Sequence, residues 1–297
     1  MHSMRTTMSR SSTLILISMT KSSRNSNNPI SLLLLDLDGT LLNGELSIGK
    51  RTSEALCSLS RKGVNVTFVT GRMLPAVKRY ADSIKVTSPI IALNGAYIAD
   101  PDAKYVLFDK RIPKPVSNEI LLRLQNLSLA ANTIFGERAI SSNLDELSKK
   151  AVESWLANIQ FIDRIDTLSE SPNMMLFIGD ENSVKEGCTR LKPLESEAFI
   201  YSYASIRYKP KWYLEIRPAG TSKGKAVKLL LEYLEVLPEN VLSVGDFLND
   251  IPMLKLTGHS ACVANAHPEV KMAVDCVSHL SNNQEGVLDI LKQFGLV

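Results

Sequence analysis

Two aspartates two residues apart, Asp36 and Asp38, directly follow the apolar run Leu32-Leu33-Leu34-Leu35 and precede Gly39-Thr40. Such a run reads as a buried strand, and a strand alternates its side chains with period two. Both carboxylates should therefore start on one side of the chain, where Gly39 lets it turn. Two like charges that close call for a cation between them. A hard divalent ion such as Mg2+ takes oxygen ligands from one or two carboxylates and keeps other positions for water and a substrate phosphate. Asp and Gly are also ordinary turn residues at a strand end, so the pentapeptide alone leaves a purely structural reading open. Three further segments supply matching chemistry. The strand-like Val64-Asn65-Val66-Thr67-Phe68-Val69 runs into Thr70-Gly71-Arg72, where a hydroxyl and a backbone N–H can grip phosphate oxygens. Gly220-Thr221-Ser222-Lys223-Gly224-Lys225 precedes a strongly helical stretch, which puts Lys223 at a helix start as a compact cation able to offset phosphate charge. The short apolar strand Val241-Leu242-Ser243-Val244 ends in Gly245-Asp246-Phe247-Leu248-Asn249-Asp250, with more carboxylates at another strand end.

These segments are set in a regular frame. Strand and helix alternate from Leu32 to Asp36, Lys50 to Arg61, Val64 to Val69, Leu74 to Ser83 and Ile90 to Leu93. That alternation predicts a doubly wound α/β core, a parallel sheet with helices on both faces, and continuously apolar strands suit its buried centre. The same grammar returns after residue 217, with a helix over Lys223 to Glu235, a strand to Val244, a helix over Asp250 to Leu256, a strand over Ser260 to Val263 and a helix over Pro268 to Val274. Between them lie strand candidates at Tyr105 to Phe108, Met174 to Ile178, Phe199 to Tyr203 and Trp212 to Ile216 among polar helices, which read as an inserted α+β domain. Tyr208-Lys209-Pro210-Lys211 reads as the turn joining the last two of those strands. The expected divisions are an extension over 1–29, a first core part over 30–101, the insert over 102–217 and a second core part over 218–297. In an open α/β sheet ligands bind beyond the carboxyl ends of the strands, and every candidate segment sits at such an end. Trp155 and Trp212 read as packing within the insert.

D-L-D-G-T-L-L, V-T-G-R, S-K-G and G-D-x-x-N-D-x-x-M-L, in this order, resemble the four motifs of the haloacid dehalogenase superfamily, and more closely those of its Cof-type phosphatases. The likeness covers residues 28–297 and includes Asn94-Gly95-Ala96, Tyr213-Leu214-Glu215-Ile216 and Asn265-Ala266-His267-Pro268-Glu269-Val270. The resemblance implies a core bearing a mobile cap that closes over the site and chooses the substrate. It also implies hydrolysis of a small phosphorylated metabolite, a sugar phosphate or a cofactor-type phosphate, through an aspartyl-phosphate. By the same resemblance Asp36 is the nucleophile and Asp38 the acid and base. Asp36, the backbone carbonyl of Asp38 and Asp246 hold Mg2+. Leu37 N–H, Thr70, Gly71, Lys223 and Asn249 bind the phosphoryl oxygens, and Asp250 assists from behind or simply caps a helix start. An acid two residues after the nucleophile goes with phosphatases and phosphomutases. A phosphomutase stays open as an alternative, as does a catalytically silent binding module, although the short span from Asp38 to Thr70 has no room for the cap of one sugar-mutase type. Arg72 is expected to pair or be solvated at the surface.

Composition agrees with these expectations. Thirty-four basic against 31 acidic residues is too balanced for a nucleic-acid surface, and 44% hydrophobic content suffices for two cores. Cys57, Cys188, Cys262 and Cys276 have no metal or disulfide spacing and read as reduced thiols, and His259, His267 and His279 lack ligand spacing. No stretch has the roughly 20 apolar residues of a membrane span. Residues 1–29 lack acids and are rich in Ser, Thr, Arg and Lys. They read as a disordered extension of a cytoplasmic protein, with an organelle transit peptide as the alternative. The expected partner is a small phosphate monoester, with no nucleic acid and no membrane, and the expected state a monomer or weak homodimer.

Overall fold

The computed structural model describes residues 30–155 and 158–297. The expected extension over 1–29 lies outside the described residues, as does the side chain of Trp155. The chain opens with β1 (Leu32–Leu35), α1 (Lys50–Arg61), β2 (Asn65–Phe68), α2 (Leu74–Ile84), β3 (Ile90–Ala92), β4 (Tyr97–Ala99) and β5 (Val106–Asp109). It continues through α3 (Lys114–Leu124), β6 (Leu129–Phe135), β7 (Arg138–Ser142), α4 (Glu146–Trp155), β8 (Ile159–Ile162), β9 (Met174–Gly179), α5 (Glu181–Leu191), β10 (Ala198–Ala204) and β11 (Trp212–Pro218). It closes with α6 (Lys223–Leu234), β12 (Val241–Gly245), α7 (Ile251–Leu254), β13 (His259–Cys262), α8 (Pro268–Lys271), β14 (Cys276–Val277) and α9 (Gly286–Gln293).

The first sheet has the order β14-β13-β12-β1-β2 and is parallel throughout. All four residues of β1 are buried, because helices cover both faces of this central strand. The chain moves from β1 to β2 on one side and returns to β12 on the other, so the strand order reverses at β1 and a crevice opens beyond its carboxyl end. Asp36 is the first residue past that end.

Residues 129–218 build a second sheet of order β10-β11-β9-β6-β7-β8, antiparallel except for β7 with β8. Ile120, Leu124, Val184 and Leu191 of α3 and α5 bury their apolar sides with Phe177, Leu214 and Ile216 of this sheet. Ala130, Ile134, Leu176 and Ile178 belong with Ala151 and Val152 of α4 to a cluster continuous with the core strands. The expected turn at Tyr208–Lys211 does join β10 to β11, which pair in register from Ala198↔Pro218 to Ala204↔Trp212.

Two expectations need correction. The strand near Tyr105–Phe108, grouped by texture with the insert, pairs instead with β4 in a three-stranded sheet of order β3-β4-β5. That sheet is tied to the parallel one by a bridge between Val69 and Ile91. The helices expected over 250–256 and 268–274 are single turns, 251–254 and 268–271.

Candidate active site

Asp36 leaves β1 with its backbone N–H still donating to the Val244 carbonyl at 3.0 Å, so the last rung of the sheet fixes it. Its side chain is buried. The chain then folds back on itself, with the Leu37 carbonyl accepting from the N–H groups of Thr40, Leu41 and Leu42. Gly39 supplies the positive φ, 82°, that this turn requires, and a side chain there would run into the Asp246 carboxylate. The strand alternation therefore stops at once. Asp38 does not stay beside Asp36; its half-exposed carboxylate is gripped by Arg72, Nε to Oδ2 at 2.7 Å and Nη2 to Oδ1 at 2.5 Å. Arg72 is correspondingly not a surface residue. Its side chain is only 7% exposed, because the turn after β2 directs it inward against Tyr80.

The carboxylates that do converge are Asp36, Asp246 and Asp250, each offering an oxygen within 4.8 Å of the others. Ser222 caps α6 by accepting the N–H of Lys225, which makes Lys223 the first helical residue and aims it inward. The Lys223 ammonium, 1% exposed, donates to Asp36 Oδ1 and to Asp250 Oδ1, both at 2.5 Å. The other oxygen of Asp250 accepts the N–H groups of Asp246 and Phe247 at 3.0 and 3.1 Å. Asp250 thus braces Lys223 and closes the turn that precedes it, while its side chain makes no cap bond to the helix that follows. Thr40 donates its hydroxyl to Asp246 Oδ1 at 2.6 Å.

This cluster is electrostatically incomplete. With three carboxylates facing one ammonium, full ionisation leaves two negative charges in excess in a buried place. Burial drives the Asp36 carboxyl well above the usual carboxylate range; Lys223 opposes the shift, while Asp250 and Asp246 reinforce it. Burial and the neighbouring Asp250 carboxylate likewise push Asp246 up to about 7. Burial works against the charge on Lys223, but Asp250 and Asp36 outweigh it and hold the ammonium above its ordinary value. A divalent cation would balance the excess, and oxygen-only donors suit a hard ion of the Mg2+ type.

The other candidates surround this cluster. Thr70, fully buried, follows β2 and accepts the Arg72 N–H on its hydroxyl at 3.2 Å. Gly71 lies against the side chain of Asn94. Asn249 donates its amide N–H to Asn94 Oδ1 at 2.9 Å, and Leu37 is buried beside Asp36. Sequence reasoning gave no role to Thr40 or Asn94 and put Arg72 at the surface. The D-G-T phrase and an Asn-Gly pair closing a strand were the available signals for the first two.

Comparison with known proteins agrees with this geometry. Residues 33–291 match the family model of the haloacid dehalogenase-like hydrolases. The chain is 28% identical over 276 residues to the putative phosphatase YxeH of Bacillus subtilis, covering 89% of this chain and 98% of that protein. It is 27% identical over 279 residues to the 5-amino-6-(5-phospho-D-ribitylamino)uracil phosphatase YwtE of the same organism, covering 87% and 96%. The crystal structure of a haloacid dehalogenase-like hydrolase from Bacteroides thetaiotaomicron superposes with a TM-score of 0.77 at 25% identity, covering 89% of this chain and 99% of that one.

Proposed function

The chain belongs to the haloacid dehalogenase-like hydrolase family, and from that membership and the buried acidic cluster we propose that it is a Mg2+-dependent phosphatase of a small phosphorylated metabolite. The observation that carries the reading is Asp36, held between Lys223 and Asp246 at the end of the central strand, with an acid two residues on. Asp36, the backbone carbonyl of Asp38 and Asp246 would hold the ion, which when bound screens the repulsion between a carboxylate nucleophile and a phosphate dianion.

Asp36 attacks phosphorus through a carboxylate oxygen, forming an aspartyl-phosphate while the phosphorus–oxygen bond to the leaving group breaks. Asp38, turning from Arg72 into the cleft, gives its proton to the departing oxygen. It then takes a proton from the water that attacks the aspartyl-phosphate, which releases phosphate, frees the Asp36 carboxylate and returns Asp38 to its protonated form. Lys223, the Thr70 hydroxyl, the N–H groups of Leu37 and Gly71 and the Asn249 amide would receive the developing charge on the phosphoryl oxygens. Residues 110–217, which follow β5, form the proposed cap that selects what the phosphate is attached to, and YwtE supports a small cofactor-type phosphate as the kind of substrate. A phosphomutase and a silent binding module are the weaker readings. The family's activity and the complete Asp36, Lys223, Asp246 set favour hydrolysis.

The test is release of nitrophenol from p-nitrophenyl phosphate by the full chain. Hydrolysis should require Mg2+, stop after exhaustive chelation, fail with Ca2+ as the only divalent ion, and vanish in a folded Asp36→Asn variant. Undiminished rates after chelation, or turnover by Asp36→Asn, would overturn the reading.

A further inference from the structure

Leu93, Asn94 and Gly95 are three consecutive residues with left-handed backbone angles, φ 50°, 53° and 94°. Glycine accepts this freely and asparagine tolerates it, but a leucine persists there only where its surroundings over-determine the turn. The surroundings are explicit. The Asn94 N–H donates to the Thr70 carbonyl at 2.9 Å and the Leu93 N–H to the Arg72 carbonyl at 3.0 Å, which fastens the turn onto the loop after β2. Gly71, between those two acceptors, lacks the Cβ that would stand 3.1 Å from Asn94 Nδ2.

Both ends of the Asn94 side chain that this strained turn presents are engaged. Its Nδ2 donates to Glu215 Oε1 at 3.0 Å, and its Oδ1 accepts from Asn249 Nδ2 at 2.9 Å. Glu215 lies on β11, buried, with Arg217 Nε 2.7 Å from the same oxygen and the Tyr203 hydroxyl donating to Oε2 at 3.4 Å. Arg217 also donates from Nη1 to the Asn94 carbonyl at 3.3 Å and stacks its guanidinium over Phe199 at 4.2 Å. A carboxylate can only accept. Asn94 must therefore turn its NH2 to Glu215 and its oxygen to Asn249, and Asn249 must turn its own NH2 toward Asn94. The polarity of one buried carboxylate on the strand leaving the insert thus fixes which face of the Asn249 amide is offered to the phosphoryl pocket.

We propose that Asn94 is a positioning residue that acts through the Asn249 amide, setting phosphoryl binding according to where β11 places Glu215 and Arg217. The role of Asn249 rests on the phosphatase reading; the relay of hydrogen bonds does not. It makes the last strand of the insert a participant in phosphate recognition, apart from any contact with the rest of the substrate.

Two measurements on the full chain test this. In nitrogen–proton spectra, the Asn249 side-chain NH2 pair, identified by its loss in Asn249→Ala, should move in Asn94→Ala and in the isosteric Glu215→Gln, whose amide no longer enforces the polarity. With Mg2+ and orthovanadate as the phosphoryl probe, Asn94→Ala and Asn249→Ala should each weaken inhibition about tenfold, and the double variant should be no weaker than Asn249→Ala alone. An unmoved Asn249 resonance in Glu215→Gln, or single effects that multiply in the double variant, would overturn the proposal. Should Asn94→Ala fail to fold, Glu215→Gln decides alone. A wild-type chain that hydrolyses no phosphate monoester would instead sink the functional reading, and the resonance shift would still decide the relay.

Discussion

Asp38 is where geometry and proposed role stand furthest apart, since both its oxygens are occupied by Arg72. Acting on a leaving group requires that pair to open as substrate enters, so the proton Asp38 carries matters only where departure needs one. Asp38→Asn should therefore lower turnover of an alkyl phosphate by about a hundredfold or more, and of p-nitrophenyl phosphate by much less, because nitrophenolate leaves without protonation. Equal losses on both substrates would contradict an acid role. The acids themselves were legible because each ends an apolar run, and Lys223 because it opens a helix. Arg72 was misread because a charged residue after a turn is exposed by default, and only tertiary structure reveals the carboxylate that allows its burial. Asn94 and Glu215 escaped for the same reason: 121 residues separate two side chains that share one hydrogen bond.

Among the elements, α6 has little tolerance for added volume. Its Gly224 faces α7 so closely that a Cβ there would be driven into the Pro252 carbonyl and Cβ. Alanine is the better helix former by up to about 1 kcal/mol, yet the neighbour it meets is backbone that cannot rotate aside. Overpacking should win, and Gly224→Ala should lose about 1–3 kcal/mol in urea unfolding. Because α6 carries Lys223 and α7 follows Asp250, the displaced helices should also part that ion pair and depress turnover. A variant as stable and active as the parent would refute the tight packing. The core elements were readable because strands covered on both faces are predominantly apolar, as β1 is throughout and β12 is apart from Ser243. The insert's β6, Leu-Ala-Ala-Asn-Thr-Ile-Phe, has no alternation, and its strand formers Thr, Ile and Phe come only at its end. Its buried Asn132 is held by the Leu176 carbonyl and the Ser141 hydroxyl, partners that exist only once the sheet has formed. The segment near Tyr105–Phe108 was recognised as a strand but assigned to the wrong sheet, since residue types report that a strand forms and not which edge receives it.

On the scale of the whole molecule, the uncompensated charge around Asp36 and Asp246 couples folding to pH. Asp246 titrates at about 7 in the folded protein against an ordinary 3.8, and Asp36 is displaced in the same direction. The folded state then holds more protons than the unfolded one across that interval, so stability must fall as pH rises from about 4 to about 7. Carboxylates shifted the other way, such as Asp109, Asp145 and Asp289, act below that interval and leave its upper part to the site. A divalent ion that bound the ionised cluster, and only in the folded chain, would return the lost stability by mass action. Metal-free protein should accordingly melt at a lower temperature at about pH 8 than at about pH 5.5, with the deficit recovered by excess Mg2+ at the higher pH and little changed at the lower one. Asp246→Asn removes one of the two raised carboxyls and should weaken both responses. Thermal melts with chelator and with Mg2+ at the two pH values decide it: a Mg2+ shift as large in acid as in alkali would mean that the ion does not compete with protons for this cluster, and that the excess charge is settled by some other part of the fold.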